Sequence, residues 1–403
     1  MNLFSEDKDY KLYQGNMLDM LEVIEPNSID SIITDPPYEL NFMGKGWDNS
    51  GIAFQTDTWK RCYEVLKSGG YLLAFGGSRT FHRIACAIED AGFEIRDTIM
   101  WLYGSGFPKS MNIGLAIDKK KDGEYEIKQA QNEWQGWGTA LKPSFEPIIV
   151  ARKPFKGSLV DNVIEYGVGG INIDECRVEN TNLDNYDLEK RQVSKATGSD
   201  DDGHFLDQLH NQDAKHGVTD LGRFPANTIL TYDEIPSDER LRYFYCAKAS
   251  KKDRDEGLDE FKEKNGVDIT GRKENTNGLI WDGGKYAYGN AFAGAGSPKK
   301  NTHPTVKPTE LMQYLVRLVT PNNGVVLDPF NGSGSTGKAV MYENKERGKN
   351  YKYIGIEITK EYLPIAKARI EYVCKPKELR KGQLSMFDYE VGENEIRDIE
   401  NGQ

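Results

Sequence analysis

Apolar positions recur at two periods along this chain, and their alternation predicts layers of strands and helices. Ile29, Ile32 and Ile33 lead straight into Asp35-Pro36-Pro37-Tyr38. Proline fixes φ and has no amide hydrogen for a ladder, so this reads as a buried strand delivering a rigid loop. Upstream, residues 10–34 read as a strand, a loop with Gly15 and Asn16, a helical stretch over 18–24, and that buried strand. Downstream, residues 39–58 show no regular period and set Gly44 and Gly46 among Phe42, Met43 and Trp47, which predicts a mobile loop over a site. Trp59, Cys62, Tyr63 and Leu66 then share a helical face that Ser68-Gly69-Gly70 stops, and residues 71–75 form a continuous apolar run suited to a central strand. Phe81, Ile84, Ala85 and Ile88 repeat the helical spacing, and Phe93, Ile95, Ile99 and Trp101 follow at the strand period.

Residues 104–144 are irregular, and Trp134 and Trp137 there are expected to pack onto the core. A strand over 147–151 follows with no long crossover helix, which predicts an antiparallel edge pair. The pattern then breaks. Residues 158–300 are rich in Asn, Asp, Gly and Lys, with apolar runs at 223–230 and 241–246, and read as a loop-rich module between two halves of one domain. Near its end, Arg272, Lys273, Lys285, Lys299 and Lys300 alternate with Trp281, Tyr286, Tyr288 and Phe292. That mixture suits phosphates and stacked bases, and equally suits a solvated glycine-rich loop.

The strand and helix pattern resumes at Pro308, which can open a helix carrying Leu311, Tyr314, Leu315, Leu318 and Val319. An apolar run at 324–327 then enters Asp328-Pro329-Phe330-Asn331-Gly332-Ser333-Gly334-Ser335-Thr336-Gly337. Glycines in such a loop let a ligand approach the backbone, and the helix that follows offers free amides. A further strand over 353–356 delivers Glu357 about twenty residues on, where an acid can accept from ribose hydroxyls. The loop has neither the Gly-Lys-Ser/Thr of a phosphate loop nor Gly-x-Gly-x-x-Gly spacing. A carboxylate at Asp328 suits a cationic amino group better than a phosphate, so the expected cofactor is S-adenosylmethionine, which carries an amino acid and a ribose but no phosphate. Residues 363–373 form a closing helix, and 375–403 a polar tail.

At the first loop, the Asp35 carboxylate and the carbonyls of Asp35 and Pro36 present acceptors beside the flat face of Tyr38, a combination fitted to an aromatic amine. Composition narrows the setting. A net charge of −11 over 403 residues excludes a protein basic throughout, so any nucleic-acid contact is a local patch. Five scattered cysteines without a Cys-x-x-Cys pair argue against a disulfide framework and for a reducing cytoplasm. His204, His210 and His216 lack the spacing of a metal site, so no metal is expected. No secretory leader or bilayer-length apolar stretch is read, which predicts no membrane association.

With both loops in view, the chain resembles the amino-group DNA methyltransferases, which methylate adenine N6 or cytosine N4, in the permuted, beta-type motif order. Asp35, Pro36, Pro37 and Tyr38 match the catalytic motif, Asp328 to Gly334 the cofactor motif, and His303-Pro-Thr-x-Lys307-Pro308 the flanking motif. The resemblance implies a Rossmann-like doubly wound α/β sheet, mixed and mostly parallel, with circularly permuted motifs. Its catalytic half would be 1–157, its target-recognition region 158–300 and its cofactor half 301–374. It implies cofactor contacts from Asn16, Asp35, Lys307, Asp328, Phe330, Asn331, Gly332, Ser333, Gly334, Thr336, Glu357 and Ile358. Where the family has Gly-Asp, this chain has Gly15-Asn16, whose carbonyl oxygen can still accept from an adenine amino group. Asp at the first catalytic position favours adenine N6 of a flipped-out base in double-stranded DNA, with cytosine N4 as the alternative. A homodimer and a partner restriction endonuclease are further expectations of the resemblance. The rival readings are a protein or small-molecule N-methyltransferase and a cofactor-binding DNA protein without activity.

Overall fold

Residues 29–33 bury both of their faces: Ile33 packs into one apolar cluster and Ile32 into another, as a strand must when helices cover both sides of its sheet. A computed structural model describes residues 2–40, 46–103, 110–122, 132–178, 223–231, 244–246, 248–264, 278–282, 285–289 and 298–376. Strands β1 (Leu3–Glu6) and β2 (Tyr10–Gln14) lead to α1 (Met17–Leu21), β3 (Ile29–Thr34), α2 (Thr56–Val65), β4 (Leu66–Phe75), α3 (Phe81–Asp90), β5 (Glu94–Tyr103), α4 (Ile113–Asp122) and β6 (Phe145–Arg152). The insertion carries α5 (Leu159–Tyr166), β7 (Thr228–Thr231), β8 (Phe244–Tyr245), α6 (Lys251–Asp255) and the strands β9 (Gly278–Asp282) and β10 (Lys285–Gly289), which form an antiparallel pair. The last part holds α7 (Thr309–Val319), β11 (Val325–Asp328), α8 (Ser335–Arg347), β12 (Lys352–Glu357) and α9 (Leu363–Cys374).

Ten strands form one sheet in the order β1-β2-β12-β11-β3-β4-β6-β5-β7-β8. Within it β1 and β6 run against their neighbours, and the other pairings are parallel. Ile32, Leu72 and Ala74 face the cluster that includes Met17, Trp59 and Ile84 of α1, α2 and α3. Ile33, Leu73 and Phe75 face the cluster of Leu315, Val340 and Ile370 of α7, α8 and α9. The sheet is therefore doubly wound. From β3 the chain moves to β4 on one side, and from β11 to β12 on the other, so the order reverses between β3 and β11. Open α/β sheets bind ligands outside the carboxyl ends of their strands at such a reversal.

Several expectations change on contact with the structure. The antiparallel pair is β5 with β6, and the insertion supplies β7 and β8, which extend the sheet beyond it. Ser68-Gly69-Gly70 does not stop α2; those residues lie inside β4, where the register against β3 shifts between Ile29 and Ser31. Gly69 has φ +84, and a Cβ there would lie 2.2 Å from the Asn162 side-chain amide, so the glycine admits α5 against the strand. Residues 113–122 are helical within the stretch expected to be irregular. Trp134 and Trp137 do not join the core: they are 40% and 58% exposed and pack edge-on against each other. The candidate lid is described over residues 46–58, which include 3-10 turns at Gly46–Asn49 and Ile52–Phe54. Residues 41–45, the three histidines at 204–216, Arg272, Lys273, Phe292 and the tail from residue 377 lie outside the described residues. No helix among the described residues is long and apolar enough to cross a membrane.

The insertion is fastened to the last part by buried charge. Lys338 of α8, fully buried, reaches Asp253 at 2.8 Å and Glu256 at 2.7 Å. Asp253 also accepts from the Thr309 hydroxyl and amide at the start of α7.

Candidate active site

Each parallel strand near the reversal ends in a polar residue at the same edge of the sheet. Thr34 of β3 leads into Asp35, β11 ends in Asp328, β12 ends in Glu357, and β2 runs into Gly15 and Asn16. Since β6 is antiparallel, it begins at that edge, and Glu146 stands beside the ends of its neighbours. A cavity of about 480 Å³ opens there. Every residue expected at the site lines it except Gly334. Gly334 instead caps α8 with left-handed backbone, φ 74.

The diproline loop forms one wall. Lys307 Nζ donates to Asp35 Oδ2 at 2.5 Å, whereas Asp35 Oδ1 is buried with no hydrogen-bond partner among the described residues. Its acceptor capacity is unspent. The Tyr38 hydroxyl donates to Glu146 Oε2 at 2.7 Å, and Lys307 Nζ also lies 3.2 Å from that hydroxyl and 3.4 Å from Glu146. Tyr38 is held from behind, its carbonyl accepting from the Thr80 hydroxyl at 2.8 Å. Gly77 makes room for the ring, since a Cβ there would come within 3.2 Å of it. Burial pushes the Asp35 carboxyl up, Lys307 pulls against this, and the Glu146 charge adds to the rise. Burial likewise disfavours the Lys307 ammonium, but Asp35 and Glu146 outweigh it and the group stays charged. Lys307, expected among the cofactor residues, is thus engaged by the diproline loop.

The glycine loop forms the opposite wall. Asp328 Oδ1 accepts from the Thr34 hydroxyl at 2.6 Å and the Phe330 amide at 3.1 Å, and Oδ2 accepts from the Thr336 hydroxyl at 2.6 Å. The Thr34 bond ties the two sequence motifs together across a separation of 294 residues. Burial raises the Asp328 carboxyl to about 6 against the lowering effect of those hydrogen bonds. Glu357 accepts from the Gly332 and Thr359 amides, both at 2.7 Å, and so fixes the loop beside β12. Asn331 is a wedge: its Oδ1 accepts from the Tyr353 hydroxyl at 2.8 Å. Buried Arg369 donates to the Ser333 carbonyl at 2.8 Å. Asn16 is turned to local work, its Oδ1 capping α1 by accepting from the Leu18 amide at 3.1 Å. Ile358 sits at the rim, 61% exposed.

Sequence reasoning missed Glu146, Thr34 and the seat of His303. The signal for Glu146 was a carboxylate opening the one strand expected to run backwards, which must start where the parallel strands end. His303 packs under the loop, where a Cβ on Gly332 would lie 2.9 Å from its Nε2, and edge-on to Tyr362. Burial, with Lys307 adding to it, lowers its imidazole to about 3, so it stays neutral. Among the described residues no three His, Cys, Asp or Glu side chains cluster as metal ligands.

These walls define a doubly wound α/β protein with a ligand crevice at its switch point, acceptor-rich on one side and glycine-lined on the other. The family model N6_N4_Mtase, described as DNA methylase, matches residues 29–368, and the chain belongs to that family. Similar curated proteins include the type II methyltransferase M.HindIII of Haemophilus influenzae, 26% identical over 205 residues that span 40% of this chain and 64% of that protein. M.HpaI of Haemophilus parainfluenzae is 34% identical over 25% of this chain and 34% of its own length. The chain thus spans less than two thirds of either. M.SfiI of Streptomyces fimbriatus is 20% identical over 88% of this chain and 89% of its own. Among solved structures, the M1.HpyAVI-SAM complex is 17% identical, with 90% of this chain and 99% of that one covered and a TM-score of 0.39. The cytosine-N4-specific PvuII DNA methyltransferase is 15% identical, with 91% and 90% covered and a TM-score of 0.42.

Proposed function

We propose that this chain transfers a methyl group from S-adenosylmethionine to the exocyclic amino group of a base in double-stranded DNA, adenine N6 in particular. The observation that carries the reading is the meeting of Asp35, with its unspent Oδ1, and the Asp328 to Glu357 cradle in one cavity. The residues fit the cofactor: Gly332, whose backbone lines the cavity, presents no side chain there, and the Asp328 and Glu357 carboxylates suit an ammonium and a ribose better than a phosphate. Glu357 would hold the ribose and Asp328 the amino-acid end. When bound, the cofactor supplies an electrophilic methyl group on a sulfonium, so the protein needs no nucleophile of its own.

What the chain adds is placement. A base amino group cannot be reached inside a duplex, so the nucleotide turns out of the stack into the cavity. Tyr38 offers a flat face for the ring, while Asp35 and the Pro36 carbonyl accept the amino hydrogens, which become more acidic as nitrogen gains charge. Preorganised acceptors on a diproline loop do not have to reorient during the reaction. Cytosine N4 presents the same two donors. Aspartate rather than serine at position 35 is what favours adenine, by the family resemblance. Incubating DNA with the protein and methyl-labelled cofactor, then hydrolysing it, should yield N6-methyladenine. N4-methylcytosine would transfer the reading to the second base, and no labelled nucleoside would overturn it.

The Asp328 carboxyl adds a pH dependence. Its pKa in the free protein is raised to about 6, so below that the carboxyl is protonated and must lose its proton before it can pair with a cation. Cofactor affinity should be full at neutral pH and weaken by up to about tenfold per unit below pH ~6, one proton being linked to binding. Calorimetric titrations across that range check this, with Asp328→Asn expected to bind weakly and without the slope.

A further inference from the structure

We infer that Glu146 is a positioning residue of the methyl-transfer site: acting through Lys307 and Tyr38, it sets the charge on Asp35 that receives the amino-group proton. The inference rests on the proposed transfer chemistry and adds a residue to it. Lys307 lies between two carboxylates, 2.5 Å from Asp35 and 3.4 Å from Glu146. One ammonium cannot neutralise both. Were Asp35 alone with Lys307, the lysine would hold it as a weak base that accepts protons poorly. With Glu146 sharing the lysine, the loop carries a net negative charge just where nitrogen becomes positive.

The proton balance needs that charge. The amino nitrogen gains a bond to carbon, sulfur keeps the electron pair of the broken S–C bond, and one N–H proton leaves for an acceptor and then water. Asp35 Oδ1 is buried beside the cavity with no hydrogen-bond partner among the described residues and is available for it. Around this pair stand the Tyr38 hydroxyl, which donates to Glu146 at 2.7 Å, and the Tyr103 hydroxyl, which burial and then the Glu146 charge push up. Lys248 lies over the Tyr103 ring at 3.6 Å, buried Asp328 stands behind Asp35, and neutral His303 neighbours Lys307. Of these, Glu146 raises Asp35 by its charge, Asp328 and the Tyr38 hydroxyl are themselves raised by the charge on Asp35, and Glu146 is the carboxylate that shares its lysine.

Glu146→Gln tests this, because the amide keeps an acceptor for Tyr38 and removes only the charge. Asp35 acts as carboxylate, so activity falls as pH drops through its pKa; removing the Glu146 charge lowers that pKa. The expected result is an acid limb of kcat displaced to lower pH, kcat at neutral pH about tenfold or more down, and an unchanged KM for the cofactor. A fall in kcat with the acid limb unmoved would make Glu146 a wall residue only and overturn the inference, as would an unaltered enzyme. An activity-independent reading comes from ¹³Cγ-aspartate NMR, with the Asp35 signal assigned by its loss in Asp35→Asn. Its midpoint should fall in Glu146→Gln, and an unshifted midpoint refutes the coupling. Failure of the transfer chemistry itself is distinct, since it would appear as wild-type protein that labels no DNA.

Discussion

Asp35→Ala should lose methyl transfer by at least about 10³-fold while still binding S-adenosylmethionine. Removing one preorganised partner of a developing charge typically costs 10²–10³ in rate, and this substitution also removes the group that takes up the proton. Cofactor binding should survive because Asp328, Glu357 and Gly332 are held by Thr34, Thr336 and Thr359, none of which bonds to the Asp35 side chain. Lys307 keeps Glu146 as a partner, so the loop is not left with an uncompensated buried cation. Labelled-methyl transfer and calorimetry on the same preparation separate the two effects. Retained transfer would remove Asp35 from the chemistry.

Gly334→Ala should be the most damaging change on the cofactor side. The residue has φ +74, and a Cβ would stand 2.9 Å from both Cα and Cβ of Ala366, atoms that cannot swing away. Left-handed backbone costs a non-glycine residue about 1–2 kcal/mol, and overpacking about 1–3 kcal/mol more. A loss of roughly 2–5 kcal/mol follows from those two terms. The displaced loop should no longer bind cofactor. Gly348 is an internal control: its φ is +63, but nothing lies within 4 Å of an added Cβ. Gly348→Ala should therefore show the backbone cost alone and normal cofactor binding, read by denaturant titration and calorimetry. Equal stability losses in the two variants would show that the contact with Ala366 does not matter.

The strands that carry the site were legible because buried parallel strands are largely apolar and end abruptly in polar residues, as β3, β11 and β12 all do. Their meeting was legible only from chemistry, since nothing in the spacing of Asp35 and Asp328 fixes a contact that Thr34 makes in space. Leu3–Glu6 escaped notice as a mostly exposed edge, and the apolar run at 223–230 was noted but is too brief to show the period of the strand Thr228–Thr231. Helix α5 left a readable trace, Ser158 capping it by accepting from the Asp161 amide and Gly167 ending it in left-handed backbone, yet its exposed Val160 and Ile164 sit in a polar context that hid them. Glycines misled in one place, where Gly69 and Gly70 lie within β4 rather than stopping a helix. The ion pairs of Lys307 with Asp35 and Glu146 were not legible, because a motif records which residues recur together, not which carboxylate a lysine meets.

In a crystal structure of the chain with S-adenosylmethionine bound, the ribose should lie at Glu357, the amino-acid end near Asp328 and the sulfonium methyl toward Asp35 and Tyr38. Cofactor density outside the crevice between β3 and β11, or with its methyl facing away from the diproline loop, would contradict the proposed transfer.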